Sequence, residues 1–216
     1  MLEVIPAINC AFGDTACAEG KVAIVAPFAK WAHIDVADGK FTYNKTWGDP
    51  AAIAKLKTEH PNLNFEIHLM IEDPEQVLPA WFASGVTRVI VHIETFDSAS
   101  AGRMIEAAKT AGAQIMFALN PETPIENMQP YFRICNEFQA LAVHPGLAGQ
   151  KFLPLVLEKV KFLRAQAPNA VIEVDGGVNL ETAKLSREAG ATIVASASCV
   201  FESVDPAVSY DELREI

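Results

Sequence analysis

Short apolar runs alternate with amphipathic stretches along the whole chain. Because the runs are apolar on both faces and are separated by helix-like segments, they indicate the buried strands of a parallel sheet. The predicted strands are Val4–Ile8, Ala32–Val36, Asn64–His68, Arg88–His92, Gln114–Ala118, Ala140–Val143, Val171–Asp175 and Thr192–Ala195.

The amphipathic stretches between these runs are predicted helices. Several begin with proline after an acidic residue, as at Asp49-Pro50, and others end on glycine, as at Gly112 and Gly190. Pro27 is expected to kink or end the first helix. The predicted helices are Thr15–Phe28, Pro50–Glu59, Pro74–Ser84, Ser100–Ala111, Ile125–Tyr131, Pro154–Ala167 and Glu181–Ala189, with Tyr210–Glu215 as a weak eighth.

Eight strand–helix units in 216 residues favour a closed (β/α)8 TIM barrel over an open doubly wound sheet. No Pro/Gly/Ser-rich linker or shift in composition divides the chain. We therefore expect one domain that spans residues 1–216.

The chain is half apolar and strongly acidic, with a formal net charge of −10 and no block of like charges. Such a surface repels phosphate backbones and anionic lipids, so nucleic acid and membranes are poor partners. The longest apolar stretch, Val22–Ala29, is far shorter than a membrane span. An anionic small substrate would need a local site that captures it against the overall field.

The cysteines and the start of the chain bear on the compartment. Cys10, Cys17, Cys135 and Cys199 contain no Cys-x-x-Cys pair and are expected to be buried free thiols of a reducing compartment. The segment at residues 1–6 lacks the basic region of a secretory signal. A cytoplasmic location is therefore expected.

Four ionisable residues lie near the C-terminal ends of predicted strands, where a β/α barrel carries its chemistry. His33 and Asp35 share one face of the second strand, because side chains alternate along a strand. His68 on the third strand and Asp175 on the seventh can meet them in the barrel mouth. Two imidazoles and two carboxylates suit one Zn²⁺, Fe²⁺, Mn²⁺ or Co²⁺ ion. Each residue alone is more often structural, but burying all four without a metal would be costly.

Three further ionisable residues lie on the same strands or the next one. His92, at the end of the fourth strand, is expected to be structural or to support the metal ligands. Glu66 and Glu173 are expected to point away from the mouth or to lie one layer deeper, and no chemistry is assigned to them.

Gly-rich turns follow the sixth and seventh predicted strands, at residues 145–150 and 175–178, and the last strand runs into a turn of small residues at 196–199. Backbone N–H groups in such turns can hold a phosphate, and barrel enzymes often place one after strands seven and eight. A single turn of this kind is weak evidence, because glycine is common in turns. Three adjacent turns beside a metal site make the case stronger.

These residues resemble the ribulose-phosphate 3-epimerase family. The matching segments appear in the order of the family from Pro6 to Phe201. They are HIDVADGKF at 33–41, HLM at 68–70, ALNPETP at 118–124, HPGLAGQKF at 144–152 and EVDGGVN at 173–179. Members interconvert D-ribulose 5-phosphate and D-xylulose 5-phosphate, and close relatives act on allulose 6-phosphate.

The resemblance implies a role for each matching residue. It implies that His33, Asp35, His68 and Asp175 bind one divalent metal, with Asp35 and Asp175 as the acid/base pair. It also implies homo-oligomerisation. The residues that it places around the sugar phosphate are His68, Met70, Gly146, Leu147, Ala148, Gly149, Gly176, Gly177, Ala197 and Ser198.

The chemistry of epimerisation fits this residue set. Inverting a carbon next to a carbonyl requires one group to remove a proton from one face and another to return a proton to the other. Two carboxylates do this if they approach from opposite sides, and a metal stabilises the enediolate as a Lewis acid. The binding energy of the phosphate positions the reacting carbon.

Several positions depart from the usual pattern of the family and leave the substrate open. Alanine replaces the usual serine, methionine or glycine at Ala7, Ala37, Ala148 and Ala197, and Leu141, His144, Tyr43 and Lys45 also differ. A roomier pocket would favour a six-carbon sugar. A lyase on a related barrel and a barrel without activity are the alternatives. A Schiff-base aldolase is disfavoured because no predicted strand ends on a lysine.

Overall fold

The computed structural model of the protein describes residues 2–146 and 149–216. Within these ranges, parallel strands close into a barrel in which each strand pairs with its neighbours in the chain and the last pairs with the first. The strands are β1 (Glu3–Ile8), β2 (Trp31–Ala37), β3 (Asn64–Met70), β4 (Arg88–His92), β5 (Gln114–Leu119), β6 (Glu137–Leu141), β7 (Val171–Asp175) and β8 (Ile193–Ser196). The predicted (β/α)8 barrel is confirmed.

Helices follow the strands and cover the outside of the barrel. They are α1 (Thr15–Val25), α2 (Pro50–Glu59), α3 (Pro74–Ala83), α4 (Ser98–Ala111), α5 (Val156–Gln166), α6 (Leu180–Ala189), α7 (Ser198–Phe201) and α8 (Pro206–Arg214). Two 3₁₀ helices span Ile93–Thr95 and Ile125–Tyr131, so the fifth predicted helix has the tighter winding. No helix in the described ranges is long and apolar enough to cross a bilayer.

Side-chain caps and glycines set several helix ends. Asp49 and Asp205 accept hydrogen bonds from the first N–H groups of α2 and α8, and proline follows each of them. Gly112 ends α4 in the left-handed region, with φ of 70°. The cap at Asp205 starts α8 four residues before the predicted Tyr210. The first helix ends at Val25, shortly before Pro27 and earlier than predicted.

The sixth strand is shifted from its predicted position. It begins at Glu137 and ends at Leu141, whereas the apolar run predicted Ala140–Val143. Phe138 and Ala140 pack in the main core, while the intervening Gln139 donates to Glu173 inside the barrel. The first half of the strand therefore alternates between polar Glu137 and Gln139 on one face and apolar Phe138 on the other, so its start does not read as a continuous apolar run.

Two apolar layers lie on opposite faces of the sheet. The main core contains Phe65, Phe117 and Phe138, which are fully buried and pack with residues of the surrounding helices. A separate small cluster joins Ile90 and Met116 with Ala118. Ile90 pairs in register with His68, so this cluster shares the interior of the barrel with polar side chains.

The expectation of four free thiols is wrong for one pair. Cys10 and Cys17 form a disulfide with their Cα atoms 6.0 Å apart. The chain turns back after β1, so that Cys10 meets Cys17 in the first turns of α1, a path that the spacing of the two cysteines does not reveal. Cys135 and Cys199 are free and partly buried. Burial raises the pKa of the Cys135 thiol to about 11.

Candidate metal and active site

The four predicted ligands meet at the C-terminal end of the barrel. Asp35 on β2 pairs in register with His68 on β3, and β7 ends at Asp175. Asp35 Oδ1 lies 3.2 Å from both His33 Nε2 and His68 Nδ1. Asp175 Oδ2 lies 3.4 Å from His68 Nδ1 and 3.9 Å from His33 Nε2. One ligand atom from each residue lies within 4.8 Å of the others.

This spacing fits one divalent metal ion. Ligand atoms about 2.1 Å from a tetrahedral ion lie about 3.4 Å from one another, close to the separations among His33, Asp35, His68 and Asp175. Mixed nitrogen and oxygen ligands suit a borderline transition metal. The cluster can therefore hold the kind of ion that the sequence predicts.

The second ring nitrogen of His33 is held by a carboxylate. His33 Nδ1 donates to Glu66 Oε1 over 2.7 Å, and Glu173 Oε1 lies 3.6 Å away. Because this bond keeps a ring proton on Nδ1, Nε2 is the nitrogen that faces Asp35 and Asp175, and it can bind a metal once it gives up its own proton. Glu66 and Glu173 thus lie one layer below the ligands, as one of the two expectations stated.

The second ring nitrogen of His68 meets another histidine. Nε2 of His68 lies 2.8 Å from Nε2 of His92, and the two rings are stacked. His92 Nδ1 is 3.4 Å from Glu94 Oε2. Glu94 in turn accepts from the backbone N–H of Asn120 over 2.8 Å and from the Thr123 hydroxyl. These contacts fit the expected supporting role for His92.

The electrostatics of the cluster favour a bound cation. Burial raises the pKa of Asp35, but hydrogen bonds from His33 and His68 outweigh it and hold the pKa well below its usual range. Burial lowers the pKa of His33, yet its bonds to Asp35 and Glu66 raise it overall. The pKa of His68 is also raised, since its bonds to Asp175 and Asp35 overcome burial. Positive charge is therefore stabilised here, whether protons or a metal supply it.

A pocket opens above the cluster. Asp35 and Asp175 line it with side-chain exposures of 15 and 10%, whereas both histidines are fully buried. The predicted substrate residues that also line it are Met70, Gly146, Gly149, Gly176, Gly177, Ala197 and Ser198. The predicted residues Leu147 and Ala148 lie outside the described ranges. Ala7 and Leu141 line the pocket as well, whereas Ala37 is buried away from it.

Two asparagines at the site were missed by the sequence analysis. Asn9 follows β1 directly, and its Nδ2 donates to Asp35 Oδ2 over 3.3 Å. Asn44, after β2, donates through Nδ2 to the carbonyl of Gly146 over 2.7 Å and so joins two loops across the mouth. Asn9 obeys the same strand-end rule as the metal ligands and could have been found by it. Asn44 could not, because it lies seven residues beyond the end of its strand.

The family model and the curated relatives point to one family. A family model described as the ribulose-phosphate 3 epimerase family matches residues 10–201. Ribulose-phosphate 3-epimerase of Bacillus subtilis is 36% identical over 187 residues, covering 84% of each chain. The Chlamydia trachomatis enzyme of that name is 36% identical over 176 residues, covering 79% of this chain and 74% of the relative.

A solved structure of 3-hexulose-6-phosphate synthase from Salmonella typhimurium is similar in fold. It has a TM-score of 0.74 and 20% sequence identity, and the match covers 99% of this chain and 97% of that one. At this identity the similarity concerns the barrel alone.

Proposed function

Because the chain belongs to the ribulose-phosphate 3-epimerase family, we propose that it inverts C3 of a keto-sugar phosphate, with D-ribulose 5-phosphate as the first candidate. The observation that carries this proposal is the pair of carboxylates of Asp35 and Asp175. Both belong to the cluster that can hold a metal ion, and both face the pocket. A substrate seated there is within reach of two groups that can exchange protons.

Asp35 and Asp175 are proposed as the two proton-transfer groups. They come from β2 and β7, which lie on different sides of the barrel with β1 and β8 between them. A sugar carbon between them would meet one carboxylate on each face, so one removes a proton while the other returns one. Asn9, which donates to Asp35 Oδ2, helps to hold that carboxylate in place.

One divalent metal ion per chain, Zn²⁺, Fe²⁺, Mn²⁺ or Co²⁺, is proposed to bind to the cluster of His33, Asp35, His68 and Asp175. When bound, the ion would stabilise as a Lewis acid the negative charge that develops on the sugar oxygens. The protein orients both imidazoles through their second ring nitrogens, which contact Glu66 and His92.

The phosphate is proposed to lie at the side of the pocket formed by the loops after β6, β7 and β8. Gly176, Gly177, Ala197 and Ser198 line this side and carry no basic side chain. Backbone N–H groups would therefore supply the contacts that offset the acidic surface of the protein. Leu147 and Ala148, which lie outside the described ranges, remain part of this proposed site.

A six-carbon ketose phosphate is the second candidate substrate. Ala7 on β1 lies at the pocket wall with only a methyl group, and Leu141 on β6 lines the same pocket. Both positions differ from the pattern of the family and leave the wall apolar. Comparing kcat/KM for the five- and six-carbon phosphates decides between them.

A cytoplasmic location and homo-oligomeric assembly complete the proposal. Sugar phosphates are substrates of the cell interior, although the Cys10–Cys17 disulfide is a bond that reducing compartments disfavour. Cell fractionation tests the location, and light scattering of the purified protein tests the assembly.

Incubation with D-ribulose 5-phosphate and Mn²⁺ or Co²⁺ in D₂O tests the reaction. We expect D-xylulose 5-phosphate to appear with deuterium at C3 and with the carbon chain intact, because the returned proton comes from an aspartate that exchanges with solvent. Mass spectrometry and NMR measure both. Carbon–carbon cleavage would favour a lyase, and no conversion of either five- or six-carbon substrate with any of the four metals would contradict the proposal.

Replacing Gly177 with alanine tests the phosphate side of the pocket. Gly177 has φ of +65°, and an added Cβ would lie 2.4 Å from the backbone nitrogen of Phe152. Strain of this kind costs about 1–3 kcal/mol. If that cost appears in binding, it corresponds to about a 5- to 150-fold rise in KM.

The control for that variant is Gly102→Ala. Gly102 lies in α4, and an added Cβ there meets no atom within 4 Å. Steady-state kinetics should show an unchanged KM for Gly102→Ala. An unchanged KM for Gly177→Ala would exclude this loop from phosphate binding.

A further inference from the structure

A layer of charged groups lies directly beneath the proposed metal ligands. Glu66, Arg88 and Glu173 are buried inside the barrel with exposures of 4% or less, and the partly buried Glu137 lies beside them. Barrel interiors are usually filled by branched apolar side chains, and burying ions costs several kcal/mol each. A charged layer inside the barrel is therefore costly for stability, which indicates that it serves a function.

Arg88 is the centre of this layer. Its Nη1 donates to Glu66 Oε2 over 2.7 Å and lies 3.8 Å from Glu173 Oε2. Its Nε forms an ion pair with Glu137 Oε2 at 2.9 Å, and its guanidinium lies 4.5 Å from the ring centroid of Trp31. A planar, permanently charged group held on several sides has little freedom to rotate.

Glu66 connects this arginine to the metal cluster. One carboxylate oxygen, Oε2, accepts from Arg88, and the other, Oε1, accepts from His33 Nδ1 over 2.7 Å. The two contacts use opposite oxygens, so the position of Arg88 fixes the plane of the carboxylate. That plane fixes the ring of His33, whose Nε2 lies 3.2 Å from Asp35.

The same layer contains a second group of possible metal ligands, formed by His33, Glu66 and Glu173. The guanidinium of Arg88 already forms ion pairs with Oε2 of both glutamates. A metal ion among these three would face the guanidinium charge and would have to displace the proton that His33 donates to Glu66. The cation of this layer is therefore the arginine.

We propose that Arg88 is a positioning residue for the metal site, acting through Glu66 to hold His33 in the orientation that binds the ion. This inference rests on the proposed metal site. It requires no particular sugar substrate and assigns Arg88 no contact with one. Loss of an outer partner of a metal-binding histidine typically weakens metal affinity 10- to 100-fold.

The test is Co²⁺ binding to purified Arg88→Met, in which a side chain of similar length lacks the charge. We expect about a 10- to 100-fold rise in the Kd for Co²⁺ and a changed visible absorption spectrum of the bound ion. Arg103→Met is the matched control, because Arg103 makes an exposed two-bond pair with Glu75 far from the site. Wild-type Co²⁺ affinity and spectrum in folded Arg88→Met would overturn the proposal.

Arg88→Lys separates positioning from simple stability and covers the case in which Arg88→Met does not fold. Lysine keeps the charge but cannot pair with Glu66 and Glu137 through a rigid fork. If both variants fold, we expect the Kd of Arg88→Lys for Co²⁺ to lie between those of the wild type and Arg88→Met. If only Arg88→Lys folds, we expect its Kd to be higher than that of the wild type. An affinity and spectrum equal to wild type would refute the role of the fork. Wild-type protein that binds Co²⁺ but converts no sugar phosphate would instead refute the proposed function alone.

Discussion

Asp175→Asn and Asp35→Asn are each expected to lower kcat for epimerisation by about 10²–10⁴ or more, because each removes one of two groups that exchange a proton with the substrate carbon. Asparagine keeps the volume of aspartate but cannot accept that proton. Both carboxylates face the pocket, and neither has an equivalent among the described lining residues. The loss should therefore appear in kcat at saturating substrate, measured with a coupled assay.

Deuterium exchange distinguishes the two aspartates. A variant that retains one base can still remove and return a proton on one face, so it should exchange C3 hydrogen in one epimer without inverting it. Asp35→Asn and Asp175→Asn should then label opposite epimers in D₂O. Labelling of the same epimer by both variants would show that the two carboxylates act on one face.

The control for these variants is Asp38→Asn in the turn after β2. Asp38 accepts from the backbone N–H groups of Lys40, Phe41 and Glu72 and is not part of the metal cluster. Its kcat should stay within a few-fold of wild type. Metal content must be measured in all three variants, since Asp35 and Asp175 are also proposed ligands.

The metal ligands could be predicted from two simple rules, whereas the residues that hold those ligands in place could not. Strand ends of a barrel carry chemistry, and residues two apart on a strand share a face, which together select His33 and Asp35. Glu66 is two residues before His68 on β3, so the two side chains share a face of the strand. This spacing predicts that Glu66 lies inside the barrel, one layer below His68, and not on the opposite face. Arg88 escaped because it begins a strand, where the barrel rule predicts stability rather than function.

Features that depend on the path of loops were also beyond the sequence. The disulfide forms because the chain reverses between β1 and α1, and a separation of seven residues does not specify that turn. The bond from Asn44 to Gly146 joins residues 102 positions apart. The eight strands, by contrast, follow from repeated apolar runs, and only the sixth is clearly displaced because its polar residues face the barrel interior.

Replacing His68 with glutamine removes a proposed metal ligand. We expect it to weaken metal binding by more than the roughly 10- to 100-fold that is typical when a residue that only supports a ligand is lost. His68 Nδ1 is the only nitrogen described within 3.5 Å of both Asp35 Oδ1 and Asp175 Oδ2. Without it, an ion would keep one imidazole and two carboxylates. Elemental analysis after dialysis should find near-stoichiometric metal in the wild type and little in His68→Gln.

Thermal unfolding gives an independent measure of the same loss. A ligand at 1,000 times its Kd stabilises the native state by about 4 kcal/mol, so added Co²⁺ should raise the Tm of metal-free wild type by several degrees. His68→Gln should show almost no rise at the same concentration. His60→Gln, at the partly buried C-cap of α2 and outside the metal cluster, should respond like the wild type. An equal Tm rise in His68→Gln would show that the ion binds elsewhere.

The response to pH follows from the raised pKa values of His33 and His68. A metal must displace the protons that these imidazoles share with Asp35 and Asp175, so protons compete with the ion more strongly than at an isolated histidine. The affinity for Co²⁺ should therefore fall as the pH decreases, beginning above the ordinary histidine value of about 6.5. In His68→Gln one of the two competing protons is gone, so the decrease in affinity per pH unit should be shallower than in the wild type.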